Sequence, residues 1–158
     1  MIIFHFQLLI TVQKKEAKRW HMTDPIPVPG SKRVLHVGCG SYLPERLHEY
    51  FRSAEWQEIR LDIDPQVQPD IVASITDMSI IEDNSMDGLW SSHNLEHLYP
   101  HEVPKALSEF HRVLKPDGIA VITCPDLRAA CRWVAEGREE DVAYVSPAGP
   151  ITPLDLIY

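Results

Sequence analysis

The chain has 158 residues, 44% apolar and 24% charged, with a formal net charge of −8, the composition of an ordinary soluble globular domain rather than a disordered or collagen-like chain. The negative balance excludes broad, non-specific attraction to nucleic acid or to an anionic membrane, which needs an excess of Lys and Arg. Cys39, Cys124 and Cys131 are odd in number and form no CxxC pair, so they describe neither a disulfide framework nor a zinc site and fit reduced thiols of a cytoplasmic protein.

Charge divides the chain unevenly. Residues 1–33 carry six Lys and Arg against Glu16 and Asp24, whereas the remainder carries nine against twenty-one acids. Residues 1–32 therefore read as a leader and linker. The opening MIIFHFQLLITV is nearly all apolar, yet a spanning helix needs about twenty such residues. A secretory signal places its positive charge before the apolar core, whereas Lys14, Lys15, Lys18 and Arg19 follow it here. The run is left with three uses: lying on a membrane surface, capping an exposed edge of the domain, or arising from a start codon placed too early. Pro25-Ile-Pro-Val-Pro-Gly30 lacks the N–H groups that helix and sheet require and reads as an extended linker.

From Arg33 strands and helices alternate. Arg33-Val-Leu-His-Val37, bounded by Gly38-Cys39-Gly40, is a buried strand entering a tight turn. Leu43, Leu47, Tyr50, Phe51 and Ala54 recur at helical spacing behind Pro44, which suits a first helical turn, and predict a helix packed on the sheet. Strands are expected at Glu58–Asp62, Pro69–Ser74 and Asp87–Ser92. The strongest helix is 101–115, with Val103, Ala106, Leu107, Phe110, Val113 and Leu114 in one stripe, terminated by Lys115-Pro116-Asp117-Gly118. Ile119–Cys124 is continuously apolar, as a strand covered on both faces should be. A last helix carries Ala129, Ala130, Trp133 and Val134, and the Pro-rich tail 137–158 reads as irregular. Residues 33–136 thus describe one Rossmann-like α/β core, an open parallel sheet with helices on both faces.

In such a sheet, ligands bind at the carboxyl ends of the strands where strand order reverses. The Gly38-Cys39-Gly40 turn brings bare backbone there. Leu43 stands where the dinucleotide fingerprint needs its third glycine, which disfavours NAD or FAD. Asp62, with Asp64 as its neighbour, lies about twenty residues beyond the glycines, where a carboxylate can accept from both ribose hydroxyls. Asp77 follows the third strand and suits the exocyclic amine of an adenine. These acids and the turn describe a nucleoside pocket.

Val34-Leu-His-Val-Gly-Cys-Gly40, Leu61-Asp-Ile-Asp-Pro65, Ile75-Thr-Asp77, Asp83-Asn-Ser-Met-Asp-Gly-Leu-Trp-Ser-Ser92 and Phe110-His-Arg-Val-Leu-Lys-Pro-Asp-Gly-Ile-Ala-Val-Ile122 occur in series. In order and spacing, residues 33–127 resemble the class I S-adenosylmethionine-dependent methyltransferases, specifically the type 11-like domain. The resemblance implies S-adenosyl-L-methionine as cofactor. It sets the turn of Gly38, Cys39 and Gly40 at the methionine moiety, Asp62 at the ribose, Asp77 and Met78 at the adenine, and Ser92 and His93 near the reactive end, with His36, Val37 and Ile63 as further cofactor-binding candidates. Three places differ from the family pattern. His36 replaces a usual acid, Tyr42 replaces a common glycine, and the closing antiparallel hairpin is missing or truncated. An edge strand left open in this way can pair with a second copy of the chain.

Methyl transfer is a direct displacement, which needs alignment and, for a hydroxyl or ammonium acceptor, removal of a proton. His93 is the candidate base, and Asn94 is placed to position an acceptor. The expected function is methyl transfer to an unidentified acceptor, a small molecule rather than nucleic acid. The alternatives are a degenerate, non-catalytic partner subunit and, more remotely, a zinc hydrolase. His93-Asn-Leu-Glu-His97 matches H-x-x-E-H, in which His93 and His97 would bind zinc and Glu96 act as base. That motif needs a continuous helix, whereas this segment falls on a strand-to-helix connection before Pro100, so no metal is expected.

Overall fold

The computed structural model describes residues 5–11, 30–146 and 149–157. Its main sheet has six strands: β1 (His5–Thr11), β2 (Lys32–Val37), β3 (Trp56–Asp62), β4 (Ile71–Val72), β5 (Met86–Ser92) and β6 (Leu114–Pro125), in the order β1-β6-β5-β2-β3-β4. The five strands from β2 onward form the parallel Rossmann-like core expected from the alternation of elements. β2 is central, with Val37 opposite both Leu61 of β3 and Ser91 of β5. The apolar leader segment described by the structure is β1, next to β6 at the sheet edge. It therefore follows the edge-capping reading; the rest of the leader, including the Pro-rich linker before Gly30, lies outside the described residues.

The chain divides into two compact units, Leu8–Ile122 and a second made of Met1–Gln7 with Thr123–Tyr158. In the first, Val34, Leu35, Val37, Leu61 and Leu89 are fully buried, because a parallel strand covered on both faces can hold apolar residues at successive positions. One face gathers Val34, Leu47, Phe51, Trp90 and Val121, with Trp56 and Ile119 packed against them. The helix α1 (Val103–Val113) buries Ala106, Phe110 and Val113, while Leu107 of the predicted stripe is exposed. Leu114 opens β6, and the Lys115–Gly118 turn falls inside that strand's span. There Pro116 precedes Asp117 at φ 66°, the proline and positive-φ sequence of a type II turn.

The helix predicted across Leu43–Ala54 does not form. Two single 3-10 turns, Pro44–Arg46 and Glu49–Phe51, flank an extended Leu47 and His48. Carbonyls that a helix would use internally are taken by side chains: Arg52 donates to Leu47 O at 2.7 Å and Glu45 O at 2.6 Å, and Trp90 Nε1 donates to Arg46 O at 2.7 Å.

In the second unit, α2 (Leu127–Ala135) starts with Asp126 accepting from the Ala129 N–H at 3.1 Å, an N-cap that satisfies an otherwise unpaired donor. Trp133 and Ala143 pack with Ala129, Tyr144 and Leu156, and the Arg138 guanidinium lies 3.9 Å from the Trp133 ring centroid. The tail expected to be irregular carries an antiparallel hairpin of β7 (Tyr144–Ser146) and β8 (Gly149–Ile151), a two-stranded sheet separate from the main one. Among the described residues no helix is long and apolar enough to cross a membrane.

Candidate functional site

Strand order reverses around β2, and the carboxyl ends of β2, β3 and β5 meet there. Gly38 and Gly40 both adopt φ 60°, a left-handed conformation that strains any residue with a Cβ. Space adds to this at Gly38, where the neighbouring Asn94 is held in place by hydrogen bonds, whereas the neighbour of Gly40 is the movable end of Arg46. A Cβ on Gly38 would lie 1.9 Å from Asn94 Oδ1, and one on Gly40 would lie 2.0 Å from Arg46 Nη1. Asn94 Nδ2 donates to Val37 O at 3.0 Å and Ser91 Oγ at 3.1 Å. Asn94 therefore ties the ends of β2 and β5 together, with both amide N–H donors spent on the frame.

Asp62 closes the other side. Its Oδ2 accepts the Gly40 N–H at 2.8 Å and its Oδ1 accepts the Asp64 N–H at 3.0 Å. A carboxylate oxygen has two lone-pair directions, so each still has acceptor capacity. Ile63 beside it is 70% exposed. Asp77 is exposed and caps the following turn, accepting the Ser79 N–H at 3.1 Å. That hydrogen bonding to Ser79 holds its carboxyl below the usual range.

Met78 departs from expectation. Its side chain is fully buried, its N–H donates to Glu109 Oε2 at 2.7 Å and its carbonyl accepts from Arg112 at 2.7 Å, so it offers no polar group to a base. Arg112 also donates to Ile81 O, to Asp83 Oδ1 and to Glu109. This network pins the segment after Asp77 to α1. Glu109 is held below its usual range, chiefly by the Arg112 hydrogen bond, and Arg112 is raised in return. Val37 and Cys39 likewise act as scaffold. Both side chains are buried, the Val37 carbonyl is taken by Asn94, and burial is the main cause that pushes the Cys39 thiol up, leaving it unreactive.

His36 is buried, with Nδ1 2.6 Å from Glu58 Oε1 and its ring 6.5 Å from that of Trp90. It stands within the sheet, in a hydrogen-bonded pair with an acid of the neighbouring strand. His93 follows Ser92 at the end of β5 with φ 55°, a costly conformation for a side-chain-bearing residue of the kind concentrated at functional sites. Its Nδ1 is 3.0 Å from Glu96 Oε1. Leu95–His97 is a single 3-10 turn, not the continuous helix that the zinc motif requires, and among the described residues no group of three or more His, Cys, Asp or Glu could hold a metal ion.

Two contributors were not singled out from the sequence. Glu96 was read only as part of the zinc motif, yet it is the hydrogen-bond partner of His93. Arg60 on β3 donates to Gly40 O, to Gln68 O at 2.9 Å and to Val67 O at 3.3 Å, joining the glycine turn to the loop beyond Asp62. Its signal was a cation between Ile59 and Leu61, since a charge inside a strand must find partners.

Residues 35–122, more than half of the chain, match the family model described as a methyltransferase domain. The chain belongs to this methyltransferase family. With the strand order above it is a class I member. Among solved structures, a SAM dependent methyltransferase from Archaeoglobus fulgidus is 28% identical, over 54% of this chain and 41% of its own, with a TM-score of 0.43. A protein from Pyrococcus horikoshii OT3 is 20% identical, over 76% and 59%, with a TM-score of 0.54, a likeness of fold. The methyltransferase chain thus spans about half the length of the solved structures it resembles. No curated protein matches it.

Proposed function

We propose that this methyltransferase domain binds S-adenosylmethionine at the ends of β2 and β3 and transfers its methyl group to a small-molecule acceptor. The observation that carries this reading is the Asp62 carboxylate, hydrogen-bonded to the Gly40 N–H at 2.8 Å and retaining acceptor capacity for a ribose diol. The donor set fits the rest of the ligand: bare backbone at the exposed Gly38, the apolar Ile63 beside the acid, and an exposed carboxylate at Asp77 to accept from an exocyclic amine. When bound, the sulfonium supplies an electrophilic methyl group.

The chain's own residues supply holding and proton transfer. With Nδ1 of His93 donating to Glu96, the basic lone pair lies on Nε2, the tautomer in which the imidazole takes a proton from a hydroxyl or ammonium acceptor. Glu96 is then a positioning residue that also stabilises the imidazolium. The excess of acids in residues 34–158 favours a small-molecule acceptor over nucleic acid.

A second reading, a non-catalytic partner subunit that keeps the fold, draws on one observation. His36, at the position of the family's usual acid, is engaged by Glu58. Titration calorimetry with S-adenosylmethionine and its demethylated product tests the first reading. Binding on the order of micromolar that is lost in Asp62→Ala supports it. A folded wild-type chain that binds neither ligand overturns it and favours the second.

A further inference from the structure

The two edges of the main sheet are built differently. β4 is two residues long and follows Pro69 and Asp70. Asp70 Oδ2 accepts the Arg60 N–H of β3 at 2.7 Å, one position before the paired Leu61, and the Ala73 N–H closes on Asp62 O at 3.1 Å. Shortness, a proline and a charge are the means by which a sheet refuses a further strand. β1 has none of them. It runs for seven residues, His5-Phe-Gln-Leu-Leu-Ile-Thr11, without Pro, Gly, Asp, Glu, Lys or Arg. It stands at the end of the strand order, so among the described residues the strand beside it is β6 alone. In covering β6, β1 becomes the edge itself.

Alternate residues of an edge strand turn both N–H and C=O away from their one neighbour, and a row of alternating donors and acceptors is answered by another extended strand. This edge is its own complement. A two-fold axis beside it sets β1 antiparallel to a second β1, donors facing acceptors, with no charge on either side to repel. The opposite edge then fixes the size of the assembly: because β4 is blocked, the joined sheets offer no further strand and growth stops at two. We infer that β1 is a self-association edge at which a second copy of this chain pairs, joining two six-stranded sheets into one closed dimer. β6 and β5 stand between β1 and β2, so this association does not depend on the nucleoside reading of the β2 and β3 ends.

The test is sedimentation velocity on the full chain from about 1 to about 100 μM, with hydrogen exchange of residues 5–11 followed over the same range. One strand pair makes a small interface, for which a Kd on the order of 10 μM is expected. The chain should then pass from mostly monomer to mostly dimer, and outward amides of β1 should exchange about fourfold more slowly at the top of the range than at the bottom. Successive strand residues turn their N–H groups to opposite sides, so one of Leu8→Pro and Leu9→Pro removes an outward donor and the other an inward one. The outward variant should be monomeric throughout with an unchanged circular dichroism spectrum. A wild type that stays monomeric, an open series of larger species, or a dimer kept by both folded proline variants overturns the inference. So does a dimer whose β1 exchange ignores concentration, and that exchange decides the matter should neither proline variant fold.

Discussion

Two crossovers leave neighbouring strands at the switch point and solve the same problem differently. After β2, residues 38–55 form two 3-10 turns whose carbonyls are collected by Arg52 from five and seven residues away and by Trp90. After β5, the chain builds α1, whose backbone pairs internally, so that Arg112 of its last turn is available to bind Met78 and Ile81 carbonyls more than thirty residues distant. In both, an arginine satisfies carbonyls. In the first they belong to its own segment, and in the second to another one. The first crossover should therefore open as a local unit, whereas the second is coupled to the whole first unit.

The largest effect is expected where the crossovers meet. Gly38→Ala places a Cβ in a left-handed position and against Asn94, and should cost about 3 kcal/mol in denaturant unfolding. Adding Asn94→Gly relieves the clash but not the backbone strain, so the pair should recover part of the loss, net of the Asn94 hydrogen bonds that it forfeits. No recovery would show that the clash is not the cause.

Next comes Arg112→Met, expected to destabilise by about 2–3 kcal/mol and to speed amide exchange across α1 and the 78–83 segment together. Exchange confined to one of them would break the coupling claimed for this crossover. The same network predicts a pH dependence. Glu109 has its folded pKa below the unfolded value of 4.5, so its stabilisation is complete above about pH 4.5 and is lost as pH falls through the folded pKa. Glu109→Gln should flatten that acid limb, and an unchanged limb would assign it to other carboxylates.

Trp90→Phe removes the donor to Arg46 O and should cost about 1–2 kcal/mol, with faster exchange in residues 44–52 only. The smallest effect is assigned to Arg52→Met, below about 1 kcal/mol because the side chain is solvent-exposed. A loss as large as that of Arg112→Met would erase the distinction between local and distant carbonyl binding.

The strands of this domain were legible because their signal is local. The short runs Arg33–Val37, ended by Gly38, and Asp87–Ser92 match β2 and β5 to within a residue. The helix at Leu43–Ala54 was misread because its apolar spacing is real, as the buried Leu47 and Phe51 attest, but periodicity does not say whether backbone or side chains satisfy the carbonyls. The distance of Asp62 from the glycines singled it out, and the structure joins it to their turn through the Gly40 N–H. Arg60 and the Glu109–Arg112 pair were not legible, since their partners are backbone groups of loops far along the chain, which leave no side-chain pattern. Of two candidates that adjoin an acid, Ile63 beside Asp62 is exposed and Met78 beside Asp77 is fully buried, so adjacency in sequence does not imply access.

Both oxygens of Asp62 are already aimed by backbone donors from Gly40 and Asp64, so under the function proposed above the carboxylate is oriented before a ligand arrives. Little ordering then remains for the encounter itself. The consequence is kinetic: changes at Asp64 or Gly40 that loosen this carboxylate should appear in how long a nucleoside stays rather than in how often it lands.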